Sequence, residues 1–452
     1  MLRKLLLGAG AACLALAMLT GAANAMSLRE AFERAYVNNP NIMSALLSVK
    51  SAAENIALRK AGKLPTIAAN ATVGGNFAVT EGSLSTGSSY RLGLSYNQTL
   101  FDNFQTEAEI EQARALTELS KHALRNAEQN VLLAVATAYM NVVRDTQLVD
   151  MRQANVAFFQ AQLDSSESRL RLGEGTQIEV SQSRTRLAAA VASYRAAIAS
   201  LQASQASFER WVGVKPSGLS RDYNFNGSLP KSIDAAIESA EATHPAILTA
   251  KAAIRAAQAG TDAARAAFGP TLNLIGSLCG IGCFNNPHQG GMTGSVQLSL
   301  TVPIYAGGAL GASVRKANIE QIKSEVDALA TRDEVRESLI SAWSSLQNAT
   351  AQIESAQSAV ESGQLVVEGT IQERDVGQKT TLDVLNAQAE LTSAREALIS
   401  ASSARVIASF ALLAASGRLS PDYLGLRVEI QSADGYVATV EDVWQELRAI
   451  DQ

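Results

Sequence analysis

Cysteine, histidine, proline and aromatic residues are all scarce in this 452-residue chain: it has three Cys, three His, nine Pro and only 5% Phe, Trp and Tyr. Three Cys are too few for a disulfide scaffold. The three His (His122, His244 and His288) are scattered and make no metal cluster. No group of reactive side chains suggests an enzyme, and nothing calls for a cofactor or a metal. Charge is sparse too, at 18% with a net of −5. A pI near 5.5 leaves no overall positive field for phosphate, which argues against a nucleic-acid partner. Disorder is excluded as well, because 47% of the residues are hydrophobic. What is abundant is Ala, Ser, Gln and Leu, the usage of long helices packed closely together.

Residues 1–25 read as a secretory signal peptide. Arg3 and Lys4 precede an apolar run from Leu5 to Leu19, and Ala23-Asn24-Ala25 supplies the small-x-small cleavage site. A membrane anchor fits less well, since the run is short and broken by Gly. Cys13 lies inside the apolar region and makes no lipoprotein site. Losing Arg3 and Lys4 leaves 36 basic residues against 43 acidic ones, a net of −7. No later stretch reaches the roughly 20 apolar residues of a transmembrane helix.

Self-comparison reveals an internal duplication. Pro40 and Pro245, like Pro65 and Pro270, are 205 residues apart. Further on the separation is 204: Phe101/Tyr305, Tyr139/Trp343, Gly173/Gly377, Thr176/Thr380, Val180/Val384 and Gly213/Gly417. Each copy should hold a short helix, a Pro-started helix, two alternating segments, a very long helix, a tight turn and a return helix. No Gly or Pro interrupts 104–172, whose 69 residues would span about 100 Å as a helix. Leu116, Leu119, Ala123, Ala127, Val131, Ala134, Ala138 and Val142 recur at steps of three and four and predict its buried stripe. Leu339, Ala342, Leu346, Ala349, Ile353, Ala356 and Val360 predict the second. The expected layout is a first repeat at 26–229, with a hairpin at 66–100 and a tip at 173–176. A second follows at 230–417, with a hairpin at 271–303 and a tip at 377–380; the tail is 418–452.

The alternating segments are the most informative. Tyr90, Leu92, Leu94 and Tyr96 alternate with Arg91, Gly93, Ser95 and Asn97, and Val296, Leu298, Leu300 and Val302 with Gln297, Ser299 and Thr301. Strands of about 10 residues with one apolar and one polar face are the signature of a transmembrane β-barrel. Polar, Gly-rich loops are expected at 80–89 and 280–292. Four strands per chain are too few, because eight is the smallest usual membrane barrel. Open edges in lipid cost several kcal/mol per unsatisfied group, so several copies must combine. Spacing alone leaves two copies or three open.

With these features in this order, the mature chain resembles the TolC family of outer-membrane efflux proteins from Asn39-Pro40 to Gly417. The resemblance also rests on Pro303-Ile304-Tyr305-Ala306-Gly307-Gly308 and on Val376-Gly377-Gln378-Lys379-Thr380 followed by Leu382-Asp383-Val384-Leu385. It implies an α+β membrane protein: a homotrimer with a 12-stranded transmembrane β-barrel, four strands per chain, continuous with a long periplasmic α-helical barrel of coiled coils. The implied role is the exit duct of a tripartite efflux or type I secretion system. The implied partners are outer-membrane lipid, a periplasmic adaptor and an inner-membrane ABC or proton-driven pump. The stretch 211–229 and the tail would form a belt around the tunnel. A periplasmic coiled-coil adaptor is the alternative, but it would show one helical hairpin rather than two matched ones.

Several residues take roles from the resemblance. Gly173, Gly175, Thr176, Gly377 and Thr380 are the adaptor-docking tips, where Gly permits the reversal and Thr caps the return helix. Asp383 matches an acidic pore-constricting position, and a second acidic ring falls on Asn386, which is neutral here. Three carboxylates about 6 Å apart would repel by roughly 1–3 kcal/mol per pair at a dielectric of 20–40. A resting pore that is nearly closed and cation-selective is expected. Lys379 stands at a basic position and should pair with Glu179, while Arg374 replaces an aromatic latch residue. Cys279 and Cys283 lack the further ligands of a metal or redox site, so in an exported protein a local disulfide is expected.

Overall fold

The computed structural model describes residues 25–220, 229–283 and 286–441. The export signal falls almost wholly outside these residues. Helices α1 (Leu28–Asn38) and α2 (Pro40–Lys60) lead through a short 3-10 turn, Ala61–Lys63, into strands β1 (Thr66–Thr80) and β2 (Ser83–Phe101). Helices α3 (Gln105–Arg171) and α4 (Gln177–Val212) follow. The same order recurs in α5 (Ile233–Thr243), α6 (Pro245–Ala266), β3 (Thr271–Cys283), β4 (Asn286–Thr301), α7 (Ala309–Asp375) and α8 (Thr381–Ala415). A short helix, α9 (Asp434–Glu441), comes last among the described elements. The boundaries have local causes. Ser27 and Ser232 cap α1 and α5, and Pro40 and Pro245 occupy the first positions of α2 and α6, where an amide hydrogen is not needed.

The chain forms two compact units. The first comprises residues up to 43, 125–244 and 334–430. Phe32 meets Phe410 edge-on with centroids 5.4 Å apart. Glu128 is buried, yet its carboxylate accepts from the Tyr36 hydroxyl and from Arg125, each at 2.8 Å. Such pairing is what a buried charge requires. The Tyr139 hydroxyl lies 2.8 Å from the Met26 carbonyl and 2.7 Å from that of Ser220. Beside it, Met26 and Leu219 form a parallel bridge. In the tail, the Gly425 carbonyl accepts from Arg29, and Arg427 N donates to Glu33.

Polar rungs join α3 to α8 in this unit. Gln129 donates to the Ala414 carbonyl at 2.8 Å, Ser403 to that of Met140 at 3.2 Å, and Arg152 pairs with Glu396. Asn155 Oδ1 accepts from Gln388 and Thr392, both at 3.2 Å. Apolar layers of Phe159, Ala190 and Leu385, and of Val367, Ala387 and Leu391, complete the packing. One expectation is corrected here. α8 does reach the length and apolarity of a membrane-crossing helix, with a mean hydropathy of 1.7 in its most apolar window. Phe410, Leu412 and Leu413 are buried inside this unit, while Leu398, Ile399, Val406 and Ile407 are only partly covered.

The second unit comprises 44–124, 245–333 and the chain from 431 on. Its centre is an antiparallel sheet of order β1-β2-β3-β4. The strands are longer than expected, because the segments read as outer loops are mostly paired strand. The β1–β2 ladder runs to Thr80↔Ser83 and closes on a two-residue turn, Glu81-Gly82, with positive φ at both. Such turns match the twist of paired strands. The disulfide expectation is also overturned. Cys279 is a free thiol, and Cys283 ends the same strand. Four residues of extended strand separate their Cα atoms by about 13 Å, well beyond the roughly 7 Å a disulfide can bridge. The side chain of Cys283 lies outside the described residues.

Helices α2, the start of α3, and α9 pack together in this unit. Glu441 bridges Lys60 at 3.3 Å and Arg114 at 2.5 Å; Lys121 pairs with Asp434, and the Tyr436 hydroxyl donates to Glu54 at 2.6 Å. The predicted stripe on α3 fails here: Leu116 and Ala123 are exposed, whereas Ala113, Ala115, Thr117 and Leu124 are buried. The cause is packing against α2, where the Thr117 hydroxyl donates to the Ala52 carbonyl at 3.1 Å. From Val131 onward the predicted face is largely the buried one.

Candidate functional site

Two places in the fold present groups that the chain itself leaves open: the hairpin tips of the first unit and the sheet of the second. At each tip a helix ends in a left-handed Gly, Gly173 with φ +80° and Gly377 with φ +82°. Glu174 N reaches back to the Arg169 carbonyl and Gln378 N to that of Glu373, which satisfies carbonyls a helix end would otherwise leave bare. Gly175 is crowded, since a Cβ there would lie 3.1 Å from Leu170 N. Thr176 and Thr380 then cap α4 and α8, each inside a reciprocal capping box.

The capping boxes give Glu179 and Asp383 a local role. Thr176 N donates to Glu179 at 3.3 Å. Asp383 Oδ2 accepts from Thr380 N at 2.9 Å and from its hydroxyl at 2.7 Å. Those bonds, with a smaller contribution from the Lys379 charge, hold the Asp383 carboxyl below the ordinary aspartate range. Within one chain, Glu179 therefore turns to its own cap, and no ion pair to Lys379 is present among the described residues.

Asn386 and Arg374 instead join the two hairpins. Asn386 Oδ1 accepts from Arg186 on α4 at 2.9 Å. Arg374 donates to Gln162 on α3 at 2.7 Å and to its neighbour Asp375, also at 2.7 Å, with its own side chain only 10% exposed. Arg186 and Gln162 escaped the sequence reading. A signal for Arg186 was there, since it follows Glu179 by seven residues and so shares its helix face. Beside this latch, Ile178, Ser181, Thr185, Arg186 and Leu382 line a groove of about 510 Å³. Leu172, Ile178 and Val376 leave an apolar, mostly exposed surface at the tips.

In the sheet, the register sorts the side chains onto two faces, with Ile275 and Ile281 the apolar residues of β3 on the largely polar one. Ile67, Ala69, Ala71 and Val73 oppose Tyr96, Leu94, Leu92 and Tyr90. Those oppose Gly276, Leu278, Gly280 and Gly282, and the face continues through Leu298 and Leu300. This side is apolar and bare, with Val73 72% and Val296 83% exposed. The other side carries Asn70, Thr72, Arg91, Ser95, Asn97, Ser277, Cys279, Thr293 and Gln297. Among the described residues, β1 and β4 each keep one edge that no strand pairs. In the same unit, Ile319, Ile322, Val326 and Leu329 of α7 form a stripe at steps of three and four, each more than half exposed.

Sequence and fold comparisons agree with this arrangement. The sequence profile of the family described as outer membrane efflux protein matches residues 31–214 and 236–418. The outer membrane efflux protein BepC of Brucella suis biovar 1 (strain 1330) is 35% identical over 451 residues, covering 98% of this chain and 97% of its own. The alkaline protease secretion protein AprF of Pseudomonas aeruginosa is 26% identical, covering 83% of this chain and 81% of its own. Among solved structures, the CmeC outer membrane channel of Campylobacter jejuni superposes with a TM-score of 0.77 at 17% identity, over 92% of this chain and 89% of its own. That likeness speaks for the fold alone.

Proposed function

This chain belongs to the outer membrane efflux protein family, the TolC family, and from that premise we propose that it is the exit duct of a tripartite efflux or type I secretion system. It is an outer-membrane protein with its helices in the periplasm. The observation that carries the proposal is the open sheet, which has one bare apolar face, one polar face and two unpaired edges. Left alone in lipid, those edges would cost several kcal/mol for each unsatisfied group. Three copies, joined β4 edge to β1 edge, close a 12-stranded barrel with the apolar face toward lipid and the polar face toward the lumen. The exposed stripe of α7 packs against the next copy, and the helices continue the duct through the periplasm.

The repeats at 26–229 and 230–417 are copies of one ancestral unit, followed by the belt-forming tail at 418–452. Cargo enters from an inner-membrane ABC or proton-driven pump, through a periplasmic adaptor that docks on the apolar tips. At the tips, Asp383 rings the nearly closed entrance, neutral Asn386 in place of a second acidic ring leaves the constriction with half the charge, and Lys379 meets Glu179 of a neighbouring copy. Planar-bilayer recordings test the reading, together with cysteine crosslinking from 173–176 and 377–380 to a cognate adaptor. The expected result is a conducting outer-membrane oligomer that crosslinks through both tips. A monomer recovered from the periplasm without conductance would overturn it.

A further inference from the structure

Arg91 is the only Lys, Arg, Asp or Glu in the four strands. The register fixes its face: it opposes Thr72 on β1 and Ile281 on β3, on the polar side, while Tyr90 and Leu92 flank it on the apolar side. It lies near the middle of β2, eight residues from Ser83 and ten from Phe101, where a charge turned toward lipid is most costly. Its side chain is exposed.

A homo-oligomer brings the same four strands from every copy, so no neighbouring strand can offer Arg91 a carboxylate. Along the chain the nearest acidic residues are Glu81 and Asp102, roughly 33 and 36 Å away at 3.3 Å per extended residue. Asp102 is already engaged, accepting from Thr106 N at 2.9 Å. Resting on the channel reading above, we propose that Arg91 lines the lumen as a ring of guanidinium groups, one per copy, that binds small oxyanions such as phosphate and favours anion passage. A guanidinium fork matches two oxygens of such an anion. A narrow lumen with low-dielectric walls focuses its field on the permeating ions. The duct then carries two filters of opposite sign in series, Arg91 in the barrel and Asp383 at the tips.

Recordings in zwitterionic phosphatidylcholine bilayers under a KCl gradient test this, with inorganic phosphate as the probe. Arg91→Gln should lower the anion-to-cation permeability ratio several-fold and abolish the reduction of chloride current by phosphate. Arg91→Glu should go further, and Arg91→Lys should keep the preference but weaken the phosphate effect. Heat-modifiable oligomers on gels establish that each variant assembles. If Arg91→Gln and Arg91→Glu match the wild type in both measures while Asp383→Asn alters selectivity, the ring is ruled out and the channel reading stands. If the wild-type oligomer does not conduct, both fall together.

Discussion

The two long helices follow the same plan and end up in different surroundings. In α3 the segment from Ala113 to Leu124 is partly clothed: α2 packs on it, and α9 clips to it through Arg114 and Lys121. The matching part of α7 is bare, and its exposed stripe is apolar. The residues 204 positions before Ile322, Val326 and Leu329 are Glu118, His122 and Arg125. One half has thus taken polar residues and partners from within the chain. The other keeps an apolar seam that the described residues leave bare, as the proposed oligomer requires.

Exchanging residues between the halves is the harshest test of that contrast. Ile322→Glu with Val326→His gives α7 the residues of α3, and should abolish the oligomer on native gels. Each buried aliphatic side chain lost is worth about 1.5–3 kcal/mol at every interface. The reverse exchange, Glu118→Ile with His122→Val, removes the exposed ion pair of Glu118 with Arg255. Such a pair is worth at most about 1 kcal/mol, so the oligomer should survive. Equal losses from both exchanges would mean that the contrast has no role in assembly.

The latches between the hairpins sharpen the comparison at the tips. Arg374→Ala should raise single-channel conductance more than Arg186→Ala. The Arg374 side chain is only 10% exposed and its bond to Gln162 is part-buried, whereas the bond of Arg186 to Asn386 is exposed. Hydrogen bonds to charged groups contribute about 1.5–3 kcal/mol, and solvent screening reduces the exposed one. An equal or reversed order would contradict the assignment of Arg374 as the main latch.

A smaller effect separates the two capping boxes. Thr176→Ala and Thr380→Ala should each cost about 1 kcal/mol. The loss should be larger at Thr380, whose hydroxyl also donates to Asp383. Amide exchange in the first turns of α4 and α8 measures both. The Asp383 carboxyl is held below its unfolded value, so its contribution is complete above the ordinary aspartate range and fades as pH falls through the lowered value. Protection at α8 should therefore hold from neutral pH down to that range and drop below it. Asp383→Asn should remove this pH dependence.

Much of the fold was legible because Gly, Pro and helical periodicity punctuate it. Pro40, Pro245, Gly173 and Gly377 mark boundaries that the structure places within a residue or two. The outer arms of the strands were not read from the sequence, since Gly, Ser and Thr at 74–75, 82–83 and 85–89 mask an alternation that Val73, Phe77 and Val79 still carry. The same blindness lies behind the expected disulfide: Cys283 falls in a segment read as loop, yet the strand that holds Cys279 extends to it. On α3, packing from α2 moved the buried face off the simple stripe near Leu116. Arg186 and Gln162 were hidden for another reason. Their partners, Asn386 and Arg374, lie 200 and 212 residues away, on a different hairpin.

Native mass spectrometry of the oligomer extracted from outer membranes tests the central claim, that the open sheet is completed by copies of the same chain. The account predicts a species of three mature chains that survives mild detergent and loses its integrity when the α7 stripe is made polar. A monomer would leave the edges of β1 and β4 unpaired in lipid, and a species of two chains would fall short of 12 strands; either would contradict it.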